Sequence, residues 1–148
     1  GYIRRDETKG RALTTDTNPD AYVEPTSYIP LVGQIAAGGP ILAEQNIEET
    51  FPLPQSLVGK GELFMLKVKG DSMINAGIFD GDVLIVDRSI EPTIGQVVLA
   101  EVDGEFTVKY LGQNKLIPAN PAFEPIEFKD GQTISVVGVI TGSMRKFL

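Results

Sequence analysis

Apolar residues along this chain fall into short runs and alternations with a period near two, the signature of β-strands with one or both faces buried. Six segments carry it: Glu62–Gly70 (ELFMLKVKG), Asp82–Asp87 (DVLIVD), Gly95–Asp103 (GQVVLAEVD), Glu105–Leu111 (EFTVKYL), Asn114–Ala119 (NKLIPA) and Thr133–Phe147 (TISVVGVITGSMRKF). They are rich in Val, Ile and Leu, and Gly-Asp, Asp-Gly and Pro turns separate them. Asp103-Gly104 between two such runs predicts a two-residue hairpin. Only Asn46–Glu49 and the stretch around Pro54–Val58 suggest a helical turn. The pattern predicts a mostly β domain of short strands, coiled into a partly open, barrel-like sheet.

The segments upstream of Glu62 differ in texture. Thr14–Ser27 (TTDTNPDAYVEPTS) is polar, aperiodic and Pro-containing, and reads as a linker. The head before it, GYIRRDETKGRAL, reads as two short strands about a polar turn, too small to fold alone. It is either a frayed terminus or the last piece of a truncated domain. After the linker, YIPLVGQIAAGGPILAEQ places two glycines and a proline behind two alanines. Such a slim, bendable segment can enter a narrow cleft, although most Ala-Gly pairs are plain loop. The chain divides on this reading into a head at 1–13, a linker at 14–27 and a folded domain at 28–148.

Composition matters chiefly through what is missing. With neither His nor Cys among the 148 residues, a Ser-His-Asp triad, a thiol nucleophile and a nitrogen- or sulfur-ligated zinc site are excluded. Acyl-transfer chemistry inside the chain has to rely on Ser, Thr or Lys as nucleophile, with Lys, a carboxylate or Tyr as base. The net charge of −7 argues against the body holding DNA unaided. The charge is uneven, with +2 over Gly1–Arg11 and −9 over the rest, as expected of two parts with different histories. No run approaches the roughly 20 apolar residues of a membrane span, and no secretory leader opens the chain, so a cytoplasmic location is the default expectation.

The tightest local signal is Gly70-Asp71-Ser72-Met73, at the end of a strand run. A serine there can project into a cleft with backbone N–H groups beside it, although serines next to Asp and Gly are more often turn formers. A base could come from the eight lysines, the carboxylates or the four tyrosines. Lys109 sits mid-strand in Phe106-Thr107-Val108-Lys109-Tyr110, where burial would disfavour its ammonium form. Alternation also places it on one face with Glu105 and Thr107, as an exposed strand lysine would be.

Taken together, KVKGDSM, GIFDGDVLIVD and GQVVLAEVDGEFTVKYL resemble the catalytic core of the LexA/UmuD/phage-repressor autoproteases. The resemblance runs from Ile29 to the C-terminus and includes IPANPAFEPI and the VVGVI strand. It implies a serine–lysine dyad of Ser72 and Lys109, and a scissile bond at Ala37–Gly38 flanked by Ile35, Ala36 and Gly39. It further implies oxyanion support from backbone amides at Ser72 and Asp71, orientation of the lysine by Thr107, and no cofactor.

The resemblance also implies partners. A RecA filament on single-stranded DNA would stimulate self-cleavage by favouring the docked position of the cleavage loop, and the domain would form a homodimer. Ile134–Thr141 is the candidate pairing strand, unless it is fully internal. Within the family, AAGGPILAEQ is similar to the repressor pattern, whereas UmuD-type relatives usually cut at Cys-Gly. The head resembles the wing hairpin that ends a winged helix-turn-helix, so operator DNA would be reached only through a missing N-terminal domain. The alternatives are a UmuD-like polymerase accessory protein, a non-catalytic dimerisation module, and a signal-peptidase-like enzyme acting on other chains.

Overall fold

The computed structural model describes residues 24–33 and 40–147. The head, most of the linker and the segment from Ile35 to Gly39 therefore lie outside the described residues. Among those described, nine strands form one sheet: β1 (Thr26–Val32), β2 (Ile47–Pro54), β3 (Leu63–Lys67), β4 (Val83–Asp87), β5 (Val97–Val102), β6 (Glu105–Gly112), β7 (Lys115–Ile117), β8 (Ile126–Glu127) and β9 (Ile134–Met144). Their order across the sheet is β2-β1-β3-β4-β9-β5-β6-β7-β8. The fold is mostly β, as the alternation predicts. A small unit that includes residues 24–26 and 54–57 is distinct from the unit carrying the remaining described residues. Within it the Gln55 N–H donates to the Pro25 carbonyl at 2.9 Å.

All six predicted strand segments contain strands, five of them trimmed at one or both ends and Glu105–Leu111 extended to Gly112. Val102 pairs with Glu105 across the Asp103-Gly104 turn. Both turn residues have positive φ, 50° and 87°, as a two-residue hairpin of this twist requires. The helical turn expected at Asn46–Glu49 is not formed: a 3₁₀ turn covers Glu44–Asn46 and strand β2 begins at Ile47. Ile47, Phe51 and Leu53 lie on the more buried side of β2, and Phe51 and Leu53 pack against the Ile29, Leu31, Met65 and Ile85 cluster. Tertiary packing at period two thus decides the conformation, and Pro52 is tolerated because β2 is a sheet edge. Around Pro54 a single helical turn does form, at Gln55–Val58.

Strands β3 and β4 are buried on both faces, which explains their unbroken apolar runs. Phe64, Leu66, Leu84 and Val86 enter one cluster with Val32, Met73 and Leu99, while Met65 and Ile85 enter another with Ile29 and Leu31. Strand β9 is internal to the sheet and changes partner along its length. Its first half pairs with β5 and its second half with β4, with Val139 in both ladders and a register shift in each. The long connection from β3 to β4, residues 68–82, carries Gly70-Asp71-Ser72-Met73.

A serine and a lysine at the mouth of a cleft

Three groups fix the turn that holds Ser72. Gly70 adopts φ of 89°, a conformation that favours glycine, and its N–H donates to Asp80 Oδ1 at 2.7 Å. Met73 is buried in the main core cluster and anchors the following residue. The loop after β7 closes over the other side: the Ala119 N–H donates to the Ser72 carbonyl at 2.8 Å, and Asn120 Nδ2 donates to the Asp71 carbonyl at 2.9 Å. The N–H groups of Asp71 and Ser72 donate to no group among the described residues. The Asp71 carboxylate is exposed.

Lys109 comes from strand β6, opposite Val98 of β5, and Thr107 stands opposite Ala100. Val98 and Ala100 are fully buried, so the lysine stem lies along apolar surface. Only 7% of Lys109 is accessible to solvent. Its Nζ lies 3.0 Å from Ser72 Oγ and 2.5 Å from Thr107 Oγ1. No carboxylate pairs with it among the described residues. Burial therefore lowers its pKa below the ordinary 10.5 with no opposing charge to raise it. The arrangement sets a hydroxyl beside an amine whose pKa is lowered by burial, with a second hydroxyl fixing that amine in place.

The cleft beside this pair has a volume of about 270 Å³ and is lined by Gly33, the β3 exit at Leu66–Gly70, Ser72, Met73, Leu99 and residues 106–108 of β6. Of the site residues expected from sequence, Ser72, Asp71, Thr107 and Lys109 are brought together here. Ile35, Ala36, Ala37, Gly38 and Gly39 lie outside the described residues, in the segment that joins Gly33 to Pro40. No cluster of His, Cys, Asp or Glu suited to a metal ion occurs among the described residues. None of the helices described is long and apolar enough to cross a membrane.

Residues 30–141, which span every one of these groups, match the Peptidase S24-like family. The chain belongs to that family. Similar curated relatives are the LexA repressor of Mycobacterium sp. (strain KMS), 46% identical over 164 residues, covering 99% of this chain and 70% of the relative. The LexA repressor of Desulfitobacterium hafniense (strain DSM 10664 / DCB-2) is 44% identical over 150 residues, covering 98% of this chain and 72% of the relative. That of Mycobacterium tuberculosis (strain ATCC 25177 / H37Ra) is 45% identical over 163 residues, with coverages of 99% and 67%.

Several members of the site were not singled out by their residue types. Asp80, which braces Gly70, reads in the sequence as part of an Asp-Gly-Asp turn. Buried Asp82 forms an ion pair with exposed Arg145 at 2.7 Å, and Arg145 Nη2 also donates to the Gly77 carbonyl. The Arg145 hydrogen bonds hold the Asp82 carboxyl below its ordinary pKa of 3.8. Ala119 and Asn120 belong to the IPANPAFEPI stretch, where only the family resemblance hinted at a role.

Proposed function

We propose that this chain is the self-cleaving part of a LexA-type SOS-response repressor, which cuts its own Ala37–Gly38 bond with Ser72 as nucleophile and Lys109 as base. The observation that carries the reading is the 3.0 Å contact between a serine hydroxyl and a buried lysine with no carboxylate partner among the described residues. An ordinary surface lysine stays protonated at neutral pH and cannot accept a proton. Burial lowers the Lys109 pKa and so works against that obstacle.

Neutral Lys109 Nζ takes the Ser72 proton as Oγ bonds to the Ala37 carbonyl carbon, whose oxygen becomes an oxyanion. The N–H groups of Ser72 and Asp71, which donate to no group among the described residues, receive it. The C–N bond then breaks, Lys109 delivers the proton to the departing Gly38 nitrogen, and an acyl ester remains on Ser72. Water attacks that ester with Lys109 again as base, the bond from the acyl carbon to Ser72 Oγ breaks, Lys109 returns the proton to Oγ, and a new carboxyl group is left on Ala37. Thr107 accepts a hydrogen bond from Nζ throughout, which aims the nitrogen lone pair at Ser72. No step needs a cofactor.

Because nucleophile and scissile bond share one chain, effective concentrations can reach roughly 10⁵–10⁸ M. Regulation then consists of keeping the reactive arrangement scarce, and a RecA filament on single-stranded DNA is the partner that favours it. The relatives' name brings repression to the reading, and the proposal adds operator contact through an N-terminal domain, a homodimer and a cytoplasmic location. In the second half of β9 one edge has no strand partner among the described residues, which supports pairing between two copies.

The test is intact-mass analysis of the chain after incubation from neutral pH towards the free-lysine pKa of 10.5, beside Ser72→Ala and Lys109→Ala. The expected products end at Ala37 and begin at Gly38, form faster as pH rises, and are absent from both variants. An unbroken chain at every pH, with activated RecA filament present, overturns the reading and leaves a dimerisation module.

A further inference from the structure

One buried side chain outside the dyad ties together the two chain ends between which the proposed scissile bond lies. Asn46 is 4% exposed, at the junction of the 3₁₀ turn and strand β2. Its main-chain carbonyl accepts from the Gly33 N–H at 2.9 Å. Its side-chain Nδ2 donates to the carbonyls of Pro40 and Ile41, each at 3.1 Å. The same turn is closed by the Asn46 N–H on the Ala43 carbonyl and the Ala43 N–H on the Pro40 carbonyl. Gly33 lines the cleft that contains Ser72. A single residue thus holds the last described residue before the 34–39 segment and the first two after it.

We infer that Asn46 is a positioning residue for self-cleavage: a clasp that fixes both ends of the substrate segment at the rim of its own active site. The inference rests on the autoprotease reading. Loop-closure entropy is the physical reason. Freeing Pro40 and Ile41 lengthens the stretch of chain between fixed points, and a doubled loop presents the scissile carbonyl to Ser72 a few-fold less often. The two halves of the clasp differ in kind. The Gly33 side uses the main chain of residue 46, and Pro40 keeps its bond from the Ala43 N–H, so a substitution at 46 removes the two side-chain bonds to Pro40 and Ile41. A Cβ at Gly33 would meet the Glu48 carboxylate, so a side chain there requires that exposed side chain to swing away.

The experiment compares the full chain with Asn46→Ala and Asn46→Leu. Leucine keeps about the size of asparagine and has neither a donor nor a charge, so a donor role makes the two variants alike, whereas a packing role spares the leucine. Three quantities are read: the rate of splitting at Ala37–Gly38 across pH, the labelling rate of Ser72 by a fluorophosphonate, and the thermal melting transition. The expected result is splitting slowed by about 3-fold in both variants. The pH midpoint and Ser72 labelling should equal those of the parent, because the dyad is untouched.

Either variant splitting at the parental rate overturns the inference. So does a slowed rate accompanied by slowed labelling or a moved midpoint, since that reports damage to the dyad. Loss of the melting transition in both variants assigns Asn46 to folding alone. Failure of the parent itself to split defeats the autoprotease reading instead, and the parental rate separates the two failures.

Discussion

The Nζ of Lys109 and the Oγ of Ser72 are 3.0 Å apart although 37 residues separate them in the chain. Two different devices hold them there. Lys109 is fixed by the β5–β6 ladder, in which Val98 stands directly across from it. Ser72 is fixed by a turn with Met73 in the core below and the Ala119 N–H on its carbonyl. The lysine end lies in a sheet and the serine end in a loop. Damage to the loop should therefore cost cleavage before it costs the fold, and damage to the ladder should cost both.

Burial of Lys109 carries a stability consequence of definite sign. Its folded pKa is lowered from 10.5, so between the lowered value and 10.5 the unfolded chain binds more protons than the folded one. Stability from this group accordingly rises with pH through that window, and below it the folded state bears the full cost of a buried ammonium. Lys109→Met removes the charge and keeps the stem. Its Tm should exceed the parent's by about 2–4 °C at neutral pH, and the difference should shrink as pH approaches 10.5. Thermal melts of the two proteins at several pH values, with Ser72→Ala in both backgrounds to prevent splitting, test this. A constant difference would mean that the gain comes from packing.

Thr107 accepts a hydrogen bond from Nζ and thereby favours the charged lysine while fixing its direction. Thr107→Val keeps the shape and removes the acceptor. Two effects should follow together: the pH midpoint of cleavage moves down, because the ammonium loses a partner, and the high-pH rate falls by about 10-fold, because the amine is less well aimed. Thr107→Ser should restore both. A rate loss without a midpoint shift would place Thr107 outside the proton transfer.

Strand identity was legible wherever both faces of a strand are buried or alternation is strict, as in β3, β4, β5 and β6. Lys109 shows where legibility ends. Alternation puts Glu105, Thr107 and Lys109 on one face, and the structure grades them from exposed through half-buried to buried. That gradient is set by the turn carrying Ser72, which closes over one end of the strand, a relation across 37 residues that periodicity cannot express. The family resemblance supplied the pairing. It did not supply Asn46 or Asp80, whose roles are hydrogen bonds to main-chain groups and leave no pattern in residue type. The helical turn expected at Asn46–Glu49 failed because the apolar side chains of β2 find their partners on β1, β3 and β4.

Gly70 separates backbone strain from contact. At φ of 89° an added methyl group meets nothing within 4 Å, so Gly70→Ala introduces only the cost of an L-residue in the left-handed region, about 1–2 kcal/mol. The chain can relieve this by turning Gly70 out of that region, which breaks the N–H bond to Asp80 and shifts Ser72 two residues on. Cleavage should fall by about 10-fold or more while Tm drops by only a few degrees. Asp80→Asn retains an oxygen acceptor and should leave cleavage near parental, whereas Asp80→Ala should resemble Gly70→Ala. Equal rates in all three variants would remove the brace from the account of Ser72.

The pair of Asp82 and Arg145 makes a prediction about acid. Asp82 is 2% exposed and accepts hydrogen bonds from Arg145 Nε and Nη2 and from the Phe79 N–H, while the guanidinium carbon lies 4.6 Å from the Phe79 ring centre. The Arg145 hydrogen bonds lead in lowering the Asp82 pKa below 3.8. Stability from this carboxylate is thus complete above 3.8 and is lost as pH falls through the lower folded value. Asp82→Asn should lower Tm by several degrees at neutral pH, and the gap to the parent should narrow once pH drops below 3.8. The pair fastens the C-terminal end of β9 to the start of β4, whereas Ser72 is held by Met73, Ala119 and the Gly70 brace. Cleavage by the folded variant, measured well below its Tm, should therefore stay close to parental. A parallel loss of cleavage and stability would instead make the β9 anchor part of what positions Ser72.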